Sequence, residues 1–198
     1  PSAERRADWR GRLRVGESTI LVGRFGRYHE MKDPATFLEA AALLLRERSN
    51  VRFVMAGKGV DFSNRELSKV VARLGLGEAV HLLGEVSAMN DLTASLDIAC
   101  SSSAYGEAFP SVLGEAMACG VPCVTTDVGD SAWIVGEPAH VVSPRDAPAL
   151  ARACRALVDA GAEGRRTLGL EARARVLREF SLSRVVKDYE ALYIETIS

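Results

Sequence analysis

Short apolar runs alternate along this chain with longer segments in which apolar side chains recur every three or four residues. Residues 19–24 (Thr-Ile-Leu-Val-Gly-Arg) have the pattern of a buried strand. Asp33-Pro34 then supplies a helix cap and a first-turn proline, and Phe37, Leu38, Ala41, Leu44 and Leu45 fall on one helical face. A strand is predicted over 51–57, followed by a helix marked by Leu67, Val70, Val71 and Leu74 and stopped by Gly75. The alternation continues with a strand at 80–83, a short helix at 89–96 and a strand at 97–101. The next helix is expected to take Pro110 as its first helical residue and to stop at Gly120. Strands follow at 122–126 and 139–142, and the tail reads as three helices, 146–160, 163–179 and 183–197.

Such alternation with apolar strands implies an α/β fold, a doubly wound, Rossmann-like parallel sheet with helices on both faces and a helical C-terminal tail. There is no internal repeat and no linker, so residues 1–198 are expected to form one domain. A doubly wound sheet holds its ligand outside the C-terminal ends of the strands. Arg24, Gly57-Lys58-Gly59, Gly84 and Glu107 each follow a predicted strand and are expected to converge on that edge. In the last helix, Leu182, Val185, Val186, Tyr189 and Tyr193 form an apolar stripe. Packing against its own domain is the expectation for this stripe, and contact with a second domain absent from the chain is the alternative.

Composition narrows the classes. At 198 residues, with 47% hydrophobic and 26% charged positions, the chain has enough apolar material for a core. A net charge of −1 lacks the basic excess of a nucleic-acid binder, so no nucleic-acid partner is expected. No run of about 18 apolar residues exists for a transmembrane helix. The charged first ten residues lack the apolar centre of a signal peptide. Cys100, Cys119, Cys123 and Cys154 have no C-x-x-C spacing and read as buried reduced thiols, which implies a cytoplasmic protein.

The segment 106–120 (Gly-Glu-Ala-Phe-Pro-Ser-Val-Leu-Gly-Glu-Ala-Met-Ala-Cys-Gly) carries the most chemical information. It sets Glu107 just before a helix start and Glu115 in that helix's second turn. Free N–H groups and the dipole make a helix start attractive to anions, whereas carboxylates accept hydrogen bonds from hydroxyls. A ligand that is partly phosphate and partly sugar satisfies both. Arg24 closes the first strand and Lys32 ends the loop beyond it, two cations suited to a diphosphate clamp.

Other signatures are missing. Gly57-Lys58-Gly59 lacks the third glycine of a dinucleotide fingerprint, and there is no G-x-x-x-x-G-K-[ST]. No Asp-x-Asp occurs, and His29, His81 and His140 are scattered, so no metal site is expected. Ser111 lies in Pro-Ser-Val-Leu-Gly, outside the G-x-S-x-G of a nucleophile elbow.

Over roughly 17–196 the chain resembles the C-terminal, donor-binding domain of GT-B retaining glycosyltransferases of family 4, the glycosyl transferases group 1. Val22-Gly23-Arg24-Phe25 with Lys32 is similar to the family's opening strand and loop. Glu107 and Glu115 match its E-x7-E signature, continued by residues 116–122 and by Thr126-Asp127-Val128-Gly129-Asp130. The resemblance implies that Arg24 and Lys32 bind the donor diphosphate, that Glu107 contacts the transferred sugar, and that Glu115 holds the ribose. It places backbone groups of Phe109, Pro110, Ser111, Val112 and Leu113 beside the sugar and phosphate. It also assigns Gly23, Gly57, Lys58, Gly59 and Leu83 to the donor pocket. One departure is Ala108, where the family has glycine.

The implied reaction is metal-independent sugar transfer from a nucleoside-diphosphate sugar with retention at the anomeric carbon, and no cofactor. The acceptor, a sugar, lipid or other molecule, would bind an N-terminal domain absent from this chain. The isolated chain is then expected to bind donor but transfer little, and the full-length enzyme to be cytoplasmic or peripheral to a membrane. A non-catalytic nucleotide-sugar-binding module and an NAD(P)-binding Rossmann domain remain as alternatives. Base, sugar and acceptor stay open.

Overall fold

Every position of β1 (Ile20–Phe25) is buried, because helices cover both faces of the sheet it occupies. Alternate side chains therefore enter two separate cores. Ile20 and Val22 join Phe37, Leu44, Phe53, Leu150 and Leu157 on one face, whereas Leu21 and Phe25 join Val54, Leu92, Leu113, Met117 and Ile134 on the other. In this computed structural model, which describes residues 2–197, the remaining strands are β2 (Val51–Ala56), β3 (Val80–Leu82), β4 (Ile98–Ser101), β5 (Cys123–Thr126) and β6 (Val141–Val142). All are parallel, in the order β3-β2-β1-β4-β5-β6.

The helices are α1 (Ala3–Arg12), α2 (Pro34–Glu47), α3 (Arg65–Arg73), α4 (Met89–Ala94), α5 (Ser111–Ala118), α6 (Ser131–Val135), α7 (Ala147–Asp159), α8 (Gly161–Glu179) and α9 (Leu182–Ile197). Asp33 caps α2 as expected, accepting from the Thr36 N–H at 3.1 Å and the Thr36 hydroxyl at 2.6 Å. The expected strand at 139–142 shortens to β6, because Pro138–His140 forms a 3₁₀ turn. Pro110 is the N-cap of α5 rather than its first helical residue, with φ −70° and ψ 98°.

Two elements depart further from the sequence reading. The unanticipated α1 has no apolar stripe and docks through arginines. Arg10, 4% exposed, donates to Asp97 Oδ2 at 2.9 Å and to the carbonyls of Gly16 and Thr19 at 2.7 and 2.5 Å. Arg6 donates to Asp97 Oδ1 at 2.7 Å, and Asp97 also accepts the Leu21 N–H. At the other terminus, α9 buries none of its residues, and Leu182, Tyr189, Leu192, Tyr193 and Ile197 are all more than half exposed. The expected packing of its apolar stripe against this domain is not made.

All four cysteines are free thiols; Cys119 is half-buried and the other three are buried. Among the described residues no helix is long and apolar enough to cross a membrane.

Candidate functional site

The sheet order reverses direction between β1 and β4, so the connections leaving these neighbouring strands depart to opposite sides. A crevice opens at their C-terminal ends. The loop after β1 (residues 26–33) and the loop after β4 (residues 102–110) line it, and they carry Lys32 and Glu107. Lys32 Nζ lies 2.5 Å from Glu107 Oε1 although the residues are 75 positions apart in the chain. Ser103 Oγ donates to the same carboxylate oxygen at 2.5 Å.

The Glu107 loop is held from several directions. The Ala104 N–H donates to the Met31 carbonyl at 2.8 Å, tying it to the β1 loop. From the β5 side, Thr126 Oγ1 donates to the Ser103 carbonyl at 2.6 Å and the Asp130 N–H to the Ala108 carbonyl at 2.8 Å. Gly129, with φ +56°, lies so close that a Cβ there would sit 2.2 Å from the Glu107 carbonyl oxygen. Only glycine permits this approach. Ala108, by contrast, does not have a positive φ, so its methyl meets no backbone strain.

At the start of α5 the Pro110 side chain makes no cap. Neither the Ser111 nor the Val112 N–H has a protein acceptor among the described residues, whereas the Leu113 N–H donates to the Pro110 carbonyl at 3.1 Å. Ser111 and Val112 thus offer open donors, and the Leu113 side chain belongs to the core. Glu115 is exposed in the second turn and forms no ion pair among the described residues. It lies about 6 Å along the helix axis from Ser111. The Phe109 ring points away into an aromatic cluster, edge-on to Phe180 at 5.5 Å and Trp133 at 6.2 Å.

The two cations expected in a clamp take different positions. Arg24 is only 2% exposed, and its guanidinium donates to the carbonyls of Lys32 at 2.6 Å and Gly26 at 3.2 Å. Burial pushes its pKa down to about 10, while nearby Cys100, Asp33 and Glu107 pull upward, so it remains charged at neutral pH. Arg27, which the sequence reading passed over, is exposed and has no hydrogen-bond or ion-pair partner among the described residues. Its signal was position: two residues beyond the end of β1 and five before Lys32.

The β2 edge abuts the same loop. Gly57, with φ +141°, would drive a Cβ to 2.4 Å from the Gly26 carbonyl, and the Tyr28 N–H donates to the Lys58 carbonyl at 2.8 Å. Gly57 N–H in turn donates to the Gly84 carbonyl at 2.7 Å, and Leu83 N–H to the Met55 carbonyl at 3.0 Å. Gly57, Lys58, Gly59 and Leu83 thereby sit together beside the β1 loop. Gly23 does not join them. It lies inside β1, where a Cβ would meet Leu96 at 2.4 Å, so packing accounts for it. No group of three or more His, Cys, Asp or Glu able to hold a metal occurs among the described residues.

Comparison with known proteins identifies the family. Residues 17–160 match the family described as Glycosyl transferases group 1. The chain is 27% identical over 186 residues to an N-acetyl-alpha-D-glucosaminyl L-malate synthase of Bacillus anthracis, spanning 92% of this chain and 47% of that protein. It is 32% identical over 195 residues to a D-inositol 3-phosphate glycosyltransferase of Geodermatophilus obscurus, spanning 93% and 42%. This chain therefore spans less than half the length of these relatives. Among solved structures it superposes on Anabaena HepE, crystallised with UDP and glucose, with a TM-score of 0.85 and 24% identity over 98% of this chain and 53% of that one. It also superposes on the C-terminal domain of a group 1 glycosyl transferase, LpcC of Francisella tularensis. That match has a TM-score of 0.79 and 22% identity, covering 92% of this chain and 95% of that one.

Proposed function

This chain belongs to the glycosyl transferases group 1, and we propose that it is the half of such an enzyme that binds the sugar donor. The enzyme would move a sugar from a nucleoside-diphosphate sugar to an acceptor, with retention at the anomeric carbon and without a metal. The observation that carries the reading is the Lys32–Glu107 pair, with Glu107 four residues before an α5 start whose Ser111 and Val112 N–H groups have no acceptor among the described residues.

Each group suits one part of the donor. Lys32 and the exposed Arg27 take oxygens of the diphosphate, and the Ser111 and Val112 N–H groups take others. Glu107 accepts hydrogen bonds from the transferred sugar, and Glu115 accepts from the ribose. As the sugar–phosphate bond breaks, negative charge grows on the leaving phosphate, and these fixed donors stabilise it most in the transition state. In this reading Lys32 and Arg27 supply the positive charge that a metal would otherwise bring to the leaving phosphate. The acceptor would be held by an N-terminal half, in keeping with a chain that spans under half of its relatives.

A calorimetric screen of UDP-, GDP- and ADP-sugars tests the reading, with UDP-sugars first because the Anabaena structure contains UDP. One class is expected to bind, and Glu115→Ala to weaken it roughly 10- to 100-fold through loss of charged hydrogen bonds. Equal binding by Glu115→Ala removes the ribose role. Binding of NAD(H) with no response to any of the three sugars overturns the reading altogether.

A further inference from the structure

We propose that Arg24 is a positioning residue for Lys32: it fixes the main chain that presents the lysine and does not itself touch the donor. This rests on the assignment of Lys32 to the diphosphate.

The guanidinium bridges the two ends of one loop. It donates to the Gly26 carbonyl at 3.2 Å and to the Lys32 carbonyl at 2.6 Å, from a side chain 2% exposed. On the other side, Ser102 Oγ, one residue beyond β4, donates to the carbonyls of Lys32 and Asp33 at 3.1 and 2.9 Å. The Lys32 carbonyl thus has one donor from β1 and one from the residue that follows β4.

The backbone that follows is one that needs holding. Asp33 has φ +42°, a left-handed conformation that a residue with a Cβ keeps only when its surroundings impose it. Arg24 and Ser102 clamp the carbonyls of residues 32 and 33, and the Asp33 carboxylate is committed to the α2 cap. The lysine's main chain is therefore locked while its Nζ remains in the crevice against Glu107. For Arg24 to reach a diphosphate it would have to abandon two carbonyls inside the protein, leaving both without that donor. Burial lowers its pKa only to about 10, so the clamp keeps its charge-assisted hydrogen bonds at neutral pH.

A double-mutant cycle separates positioning from contact. The wild type, Arg24→Met, Lys32→Ala and the double variant are titrated with UDP, GDP and ADP, each paired with its monophosphate. Arg24→Met is expected to weaken the bound diphosphate about tenfold, the monophosphate much less, and to add no further loss once Lys32 is alanine. Ser102→Ala is expected to shift the diphosphate-to-monophosphate ratio in the same direction, and it carries the test if Arg24→Met does not fold. An undiminished loss from Arg24→Met in the Lys32→Ala background means direct contact and overturns the proposal, as does a folded Arg24→Met with unchanged affinity. If Lys32→Ala itself leaves diphosphate binding intact, the assignment of Lys32 falls and the proposal with it, an outcome distinct from the other two.

Discussion

Replacing Glu107 by glutamine removes the charge that Lys32 faces in the free site while preserving side-chain size and hydrogen-bonding shape. Lys32 Nζ and Glu107 Oε1 are 2.5 Å apart, and the side chains are 21% and 8% exposed, so the pair is partly desolvated. At an effective dielectric constant near 20, unit charges at that separation attract by about 7 kcal/mol. A diphosphate that captures Lys32 must displace this partner, and its own contact with the ammonium restores most of the attraction. The unrestored part is on the order of 1–2 kcal/mol, between the value of an exposed pair and the cost of breaking a buried one. Glu107→Gln is therefore expected to bind the free nucleoside diphosphate about 5- to 30-fold more tightly than wild type. The nucleotide sugar gains less, because the sugar hydroxyls lose a charged acceptor. Isothermal titration of both proteins with the diphosphate and its sugar conjugate reads the two changes side by side. If Glu107→Gln binds the diphosphate no more tightly than wild type, the carboxylate does not compete for Lys32 and the reasoning is wrong.

Three further outcomes follow from the packing. Asp97→Ala strips the buried Arg10 guanidinium of its anion and is expected to cost about 3–5 kcal/mol, lowering the melting temperature by roughly 6–20 °C in a thermal melt; a loss under about 1 kcal/mol would show that α1 contributes little. Burial holds the pKa values of His81 and His140 below the ordinary 6.5. Because the unfolded chain then binds protons more readily than the folded one, stability is complete above that value and declines as pH falls below it. Melting curves between pH 7.5 and 5.5 are expected to reveal the decline, and the double variant His81→Gln/His140→Gln to flatten it. Deleting residues 182–198 removes a helix that buries nothing in this domain, so the melting temperature is expected to move by no more than about 2 °C; a large drop would mean that α9 is held by the domain after all.

Much of the fold was legible because strand and helix have different periods. The runs at 19–24, 51–57 and 97–101 became β1, β2 and β4 within about two residues, and Asp33-Pro34 opened α2 as its side-chain chemistry requires. The helix α1 was not legible, since its anchorage depends on arginines reaching Asp91 and Asp97 across the chain and leaves no apolar stripe to read. Around the site, the Glu107–Glu115 spacing and the presence of cations after β1 could be read locally. Which cation faces solvent could not. Arg24 and Arg27 look equivalent in sequence, and only the register of β1, ending at Phe25, separates a buried clamp from an exposed guanidinium. The Lys32–Glu107 pairing likewise depends on β1 and β4 lying side by side, which follows from the sheet order alone.

The central claim, that this crevice is a donor site, is tested most directly by a crystal structure of the chain with the nucleotide sugar selected in the binding screen. The account predicts the diphosphate against Lys32 and the Ser111 and Val112 N–H groups, the sugar at Glu107 and the ribose at Glu115. A diphosphate bound elsewhere, for instance cradled by residues 57–59 in the manner of a dinucleotide, would contradict it.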